Sequence, residues 1–184
     1  MMKLVTIISR YFLLPFLLVA AASVRADDSA TFTVGGLAFT RPAKWESVEP
    51  SSEMRKAQLK VTDPDTKATA EVVFFEFEAG SGGGVQANVD RWFHQFSEPK
   101  DRINAKQEEV TVGKTKITYV QAEGTFKSGM PGGDLTPMSD YALCGAIIET
   151  GSANIIVKMT GPKALVKASV ADFKKMIESG PKKD

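Results

Sequence analysis

The chain has 184 residues, with 23 Lys+Arg against 22 Asp+Glu, one His and one Cys, which is room for one ordinary domain behind a short leader. The first 26 residues hold Lys3, Arg10 and Arg25 and no acid, so without them the formal net charge moves from +1 to −2. That near balance argues against a nucleic-acid partner, which selects strongly basic surfaces, and against a polybasic grip on anionic lipid. Cys144 alone makes no internal disulfide, and Cys144 with His94 falls short of the ligand set of a Cys/His zinc site.

Residues 1–26 fall into three zones. Lys3 and Arg10 make a positive start, Tyr11 to Ala22 is an apolar run, and Val24-Arg25-Ala26 supplies a cleavage-type ending, the order of a secretory signal peptide. The run is shorter than the roughly 20 apolar residues of a membrane span, and Pro15 interrupts it. We expect a signal peptide over 1–26 and one domain over 27–184, working outside the cytoplasm (periplasmic or secreted), with no stable transmembrane segment after cleavage. An uncleaved anchor is the competing reading.

TFTV and LAFT flank Gly35-Gly36 and predict a two-residue hairpin, after which Pro42 in RPAKW ends the strand. PSSEM reads as a turn or a short helical start. KAQLKVTD sets Ala57, Leu59 and Val61 on one face of a strand, and Asp63-Pro64-Asp65 turns the chain. TAEVVFFEFEA predicts a strand covered on both sides, with Val73, Phe75 and Phe77 facing one way and Val72 and Phe74 the other. GSGGG breaks the pattern. VQANVDRWFHQF then places Val85, Val89, Trp92, Phe93 and Phe96 at helical spacing, in a helix that Glu98-Pro99 ends.

EEVTVGKTKITYVQAEGTF predicts a hairpin turning at Gly113-Lys114, and residues 127–138 read as a long glycine- and proline-rich loop. DYALCGAIIET is apolar on both faces, as a central strand is, and ANIIVKMT returns beside it. Thr160 is expected to cap a last helix with Pro162 near its first turn, Val166, Val170, Phe173 and Ile177 to form its stripe, and Gly180 to stop it. The expected fold class is α+β, an antiparallel β-sheet with helices packed on its faces.

Several of these segments carry a resemblance. LAFTRPAKW after an N-terminal hairpin, and a closing helix after IIVKMTGP, resemble the PsbP-like superfamily over about residues 31–179, while GSGGGVQANVDRWFHQF and KMTGP are similar to an uncharacterised group of secreted bacterial proteins. The resemblance implies an α/β/α sandwich around an antiparallel sheet and an accessory or binding role. It carries no catalytic residue onto this chain, and fold analogy alone does not license function.

The candidate chemistry is sparse. His94 lacks a local nucleophile and carboxylate in triad order, so an ordinary helix residue is the plainer reading. Cys144, in ALCGAII, reads as core. DPDTKAT lacks the ligand spacing of an EF-hand loop, and no metal or cofactor is expected. Gly82, Gly83 and Gly84 before a helix are a weak anion-binding candidate, lacking both the GK[ST] of a P-loop and the GxGxxG order. The ligand or partner site is placed on loop 127–138, at Met130, Asp134, Leu135 and Met138, with Arg91 as a further interface residue, since rigid scaffolds carry binding loops and methionine adapts to varied partners. The leading expectation is an exported, non-enzymatic binding or accessory domain for an unknown protein or small molecule. The alternative is a carboxylate-dependent extracytoplasmic enzyme using Glu71, Glu76 or Glu78 with Asp90.

Overall fold

Alternating apolar residues and turn-forming pairs give local hairpins, and these account for most of the architecture. A computed structural model describes residues 30–129 and 133–181, and all that follows concerns these. The strands are β1 (Thr31–Val34), β2 (Leu37–Thr40), β3 (Trp45–Val48), β4 (Ala57–Thr62), β5 (Thr69–Glu78), β6 (Lys106–Val112), β7 (Thr115–Ser128), β8 (Thr136–Glu149) and β9 (Ala153–Pro162). The helices are α1 (Gly84–Phe93) and α2 (Lys163–Ser179), and a single 3₁₀ turn spans Lys100–Arg102. β1 and β2 form their own hairpin, and the other seven strands make one sheet in the order β3-β4-β5-β9-β8-β7-β6, antiparallel throughout.

The sheet has a core on each face. On the first, α2 and the β1–β2 hairpin cover Leu59, Phe74, Ile148, Ile155 and Met159, with Val166, Phe173 and Ile177 reaching in from the helix. On the second, Val89, Trp92 and Phe93 of α1 pack with Phe96 and Ile103 against Val120, Ile147 and Ile156. Phe75 and Phe77 pack against this second cluster, while Val72 and Phe74 belong to the first, so β5 is apolar on both sides as its alternation predicts. Trp92 packs on β8 at Gly145, where a side-chain carbon would meet its ring; glycine is needed there for space. The architecture is therefore an α+β sandwich of helices about an antiparallel sheet.

Three expectations differ from the structure. The first helix ends at Phe93 rather than at Glu98-Pro99. β6 pairs β7 only as far as Gln121, so the edge of β7 beyond it is open and residues 95–97 are stitched there. Phe96 bridges Phe126, Ser97 N–H donates to Thr125 O at 2.9 Å, and Lys127 N–H donates to Gln95 O at 2.7 Å. Backbone pairing outcompetes another helical turn, although Phe96 keeps its place in the apolar cluster.

Thr160 caps no helix. It sits in β9, paired with Leu143 and Glu71, because the ladder continues to Pro162. The helix starts at Lys163 without a side-chain cap, and Gly180 closes it in a right-handed conformation. Gly180 serves instead by its size, since a Cβ there would approach Phe39 to 2.7 Å.

The long loop is also shorter than its composition suggests. Ser128 pairs Thr136, Lys127 pairs Pro137 and Phe126 pairs Met138, leaving residues 129–135 as the connection. β9 reaches β8 only from Tyr141 onward, so Pro137 lies where β8 has no second neighbour, the setting in which a strand tolerates a missing N–H.

Phe173 is fully buried in the first core. Phe173→Ala should lower the unfolding free energy by about 3–5 kcal/mol, read by chemical denaturation; an unchanged midpoint would show that α2 does not dock through this residue.

Candidate functional site

The helix on the second face covers only part of it, and polar residues floor the rest. A groove of about 330 Å³ is lined there by Gln58, Lys60, Glu71, Thr160, Tyr141 and Ser128, among others. The register puts these side chains on one face: Lys60 lies opposite Glu71, Glu71 opposite Thr160, and Thr160 opposite Leu143 of the second cluster. Its volume is at the lower end of the roughly 300–1,000 Å³ of small-molecule clefts.

One wall is a fixed polar network. Arg55 Nη1 donates to Glu71 Oε1 at 2.7 Å and to Gln58 Oε1 at 3.1 Å, and Gln58 Nε2 donates to Glu71 Oε1 at 2.8 Å. Beside it, Lys60 pairs with Glu46 at 2.7 Å. The opposite wall is the outer part of the β7–β8 hairpin. The register slips between Gly124 and Phe126, so that Thr125 faces both Ser139 and Asp140, a bulge that bends and twists the strand pair. Asp140 holds a left-handed conformation with φ 58° and pairs with Lys163 at the start of α2. Tyr141 stacks on Phe126 beyond the bulge, with ring centres 6.5 Å apart.

Lys158 lies beside the groove, toward residues 95–97, and is not one of the residues that line it. It lies two positions before Thr160 on the same face of β9 and pairs across β5 with Val73 and across β8 with Gly145. Its Nζ donates to Gln95 Oε1 at 3.3 Å and stands 5.6 Å from the centre of the Phe126 ring. Burial pushes this amine down to about 8, only partly opposed by the charge of Glu71. Among the described residues no carboxylate pairs with it, because Glu71 is held by Arg55. Gln95 reaches Lys158 because residues 95–97 are fixed along β7.

The residues singled out from sequence are dispersed relative to this groove. Leu135 and Asp134 are exposed at the hairpin connection, next in sequence to the Thr136–Ser128 pair that closes the groove's wall. Met138 is part of β8 and packs against the second cluster, a correction to its reading as a loop residue. Met130 lies outside the described residues. Gly82, Gly83 and Gly84 all have positive φ, and the buried Asn88 donates to the Gly82 and Gly84 carbonyls, both at 2.7 Å. The demands of the turn thus account for the glycines. Arg91 donates to Asn88 Oδ1 at 3.1 Å, and its guanidinium lies beside Gly83, so Arg91 and the glycine turn are one place rather than two.

The three acids of β5 do not share a face. Glu71 faces the groove, whereas Glu76 and Glu78, at even positions on β5, face the other way. Glu71 and Glu76 are also about 16 Å apart along the strand at ~3.3 Å per residue, against the roughly 5–9.5 Å of paired catalytic carboxyls. Asp90 accepts from Gln86 at 2.8 Å on α1. His94, on the surface, places Nδ1 2.7 Å from Asp90 O. Cys144 is fully buried, and burial pushes its thiol up to about 12.

A second hollow of about 520 Å³ lies below α1, lined by Asp90, Phe93, His94, Glu98, Lys100 and Lys127, among others. Its polar groups serve the fold. The carboxylate of Glu98 accepts from Thr125 N–H at 3.0 and 2.9 Å, bonds that hold its acidity below the usual carboxylate range, and Lys100 stands over the Phe93 ring at 5.1 Å. Among the described residues no group of three or more His, Cys, Asp or Glu gathers to hold a metal ion, and no helix is long and apolar enough to cross a membrane.

No family model matches the sequence, and no curated protein matches it. Among solved structures, the chain is similar to the cyanobacterial PsbP (CyanoP) of Synechocystis sp. PCC 6803, with a TM-score of 0.52 and 11% identity over 88% of this chain and 96% of that one. A structure from Bacteroides thetaiotaomicron aligns at 16% identity over 79% of this chain and 43% of that one, with a TM-score of 0.40, too low to bear on the fold. Two helices about an antiparallel sheet, matched over nearly the whole of the cyanobacterial protein, give this chain a PsbP-like fold.

Proposed function

We propose that this is an exported, non-enzymatic binding domain whose ligand lies in the polar groove over β4, β5, β9 and β8. The observation that carries the reading is Lys158, an ammonium group drawn into the face of a central strand, where its amine meets a neutral amide and an aromatic ring while the nearby Glu71 is held by Arg55. Withdrawing a charge from water without an opposite charge is unfavourable, and features kept at the expense of stability concentrate at working sites. The rims support it. Met54 and Leu135, the large hydrophobic residues exposed among those described, adjoin Arg55 on one side and the hairpin pair Thr136–Ser128 on the other. Asp134 and Leu135 are then parts of the rim. Export rests on the signal-like pattern of residues 1–26, and it predicts that N-terminal sequencing of the mature protein begins at Asp27; Met1 retained in a membrane fraction would overturn it.

Lys158→Met removes the charge while keeping the length. At neutral pH it should raise stability by about 1 kcal/mol, or a melting temperature higher by about 2–4 °C. Because burial favours the neutral amine, the handicap is complete below about pH 8 and is relieved as pH rises toward the ordinary lysine value of 10.5. The gap in melting temperature between wild type and variant should therefore narrow over that range. A variant less stable than wild type at pH 7 would mean that Lys158 supports the fold rather than a ligand.

Binding itself is tested by a thermal-shift screen of small polar metabolites on wild type and on Thr160→Trp, which fills the groove. A compound present at 100 times its Kd stabilises by about 2.7 kcal/mol. That shift should vanish in the variant, and its persistence would place the site elsewhere.

A further inference from the structure

Among the described residues, the charges beside the groove are paired except for Lys158. Arg55 is matched by Glu71 at 2.7 Å and Lys60 by Glu46 at 2.7 Å, which leaves Lys158 as the excess charge. Near it stand hydrogen-bonding groups that the fold does not use. Thr160 and Tyr141 make no side-chain hydrogen bond among the described residues, and both line the groove with Ser128. Tyr141, stacked on Phe126, adds a flat apolar wall. We propose that the groove takes a small hydroxylated carboxylate, such as a sugar acid, with its carboxylate on Lys158 and its hydroxyl groups on Thr160 and Tyr141. The inference rests on reading the groove as the ligand site.

The arrangement selects by charge and by polarity. One uncompensated ammonium neutralises one negative charge. A phosphate dianion requires a second cation, but Arg55 is engaged by both Glu71 and Gln58. An amine ligand meets Lys158 as a like charge, and the neutral sugar forfeits the charge-assisted hydrogen bond, which is roughly twice as strong as a neutral one. A hydrocarbon chain gains little over a floor of Glu71, Gln58 and Thr160.

The test uses the isotope-labelled protein without residues 1–26, titrated with D-glucuronate, D-glucose and D-glucosamine and followed by amide NMR. Glucuronate should shift the amides of Glu71, Thr160 and Gly161 and bind at least tenfold more tightly than glucose, with glucosamine weakest. Lys158→Gln should remove the advantage of glucuronate over glucose, while Lys158→Arg keeps it. Equal binding of glucuronate and glucose at these amides, unchanged in Lys158→Gln, would leave the groove as the site and overturn the charge assignment. Failure of glucuronate to shift these amides would overturn the proposal, and the groove would then stand or fall by the Thr160→Trp screen. Shifts confined to other residues would count against both.

Discussion

The second face of the sheet is wider than the helix that covers it. Seven strands at ~4.8 Å spacing span about 29 Å, whereas a ten-residue helix is about 15 Å long and ~10 Å across. The first face meets no such shortfall, because a helix of 17 residues and the β1–β2 hairpin share it. On the second face, α1 and residues 95–97 seal the part over β7 and β8, and the strip across β4, β5 and the end of β9 stays open. An open strip must be wettable, so Gln58, Glu71 and Thr160 stand where a covered sheet would carry valine or isoleucine. The groove follows from that shortfall in cover as much as from the residues that line it.

How far the sequence reports this depends on the range of the interaction. Hairpins are local, so Gly35-Gly36, Asp63-Pro64-Asp65 and Gly113-Lys114 announce their turns, and alternation along β5 and β8 announces two covered faces. The stripe of α2 is equally local, and Val166, Phe173 and Ile177 are buried as their spacing implies. Errors come where a distant strand decides. Phe96 has helical spacing but is taken up by β7, and Thr160 has a capping side chain but is taken up by β5 and β8. Residues 127–138 have the composition of a loop, yet five of the twelve pair as strand. The groove was illegible for the same reason, because Arg55, Glu71, Tyr141 and Lys158 lie on four separate segments. One signal was present: Lys158 interrupts an otherwise apolar run in IIVKMT, on a strand whose neighbours exclude water.

The pairing of β5 with β9 is the seam of the molecule. Strands β3 to β5 form one local meander and β6 to β9 another, and within the sheet the ladder from Glu71–Thr160 to Glu78–Ala153 joins them. Closing a loop of about 80 residues costs roughly 4 kcal/mol in chain entropy beyond a constant, and contacts so distant in sequence slow folding. The groove straddles this seam, with Arg55, Gln58 and Glu71 on one side and Lys158, Thr160 and Tyr141 on the other. Neither half contains the site, which exists only once the sheet is whole. A molecule seated there would touch both meanders and act as a staple, opposing the opening that parts them, so its occupancy and the stability of the closed sheet would be two readings of one equilibrium.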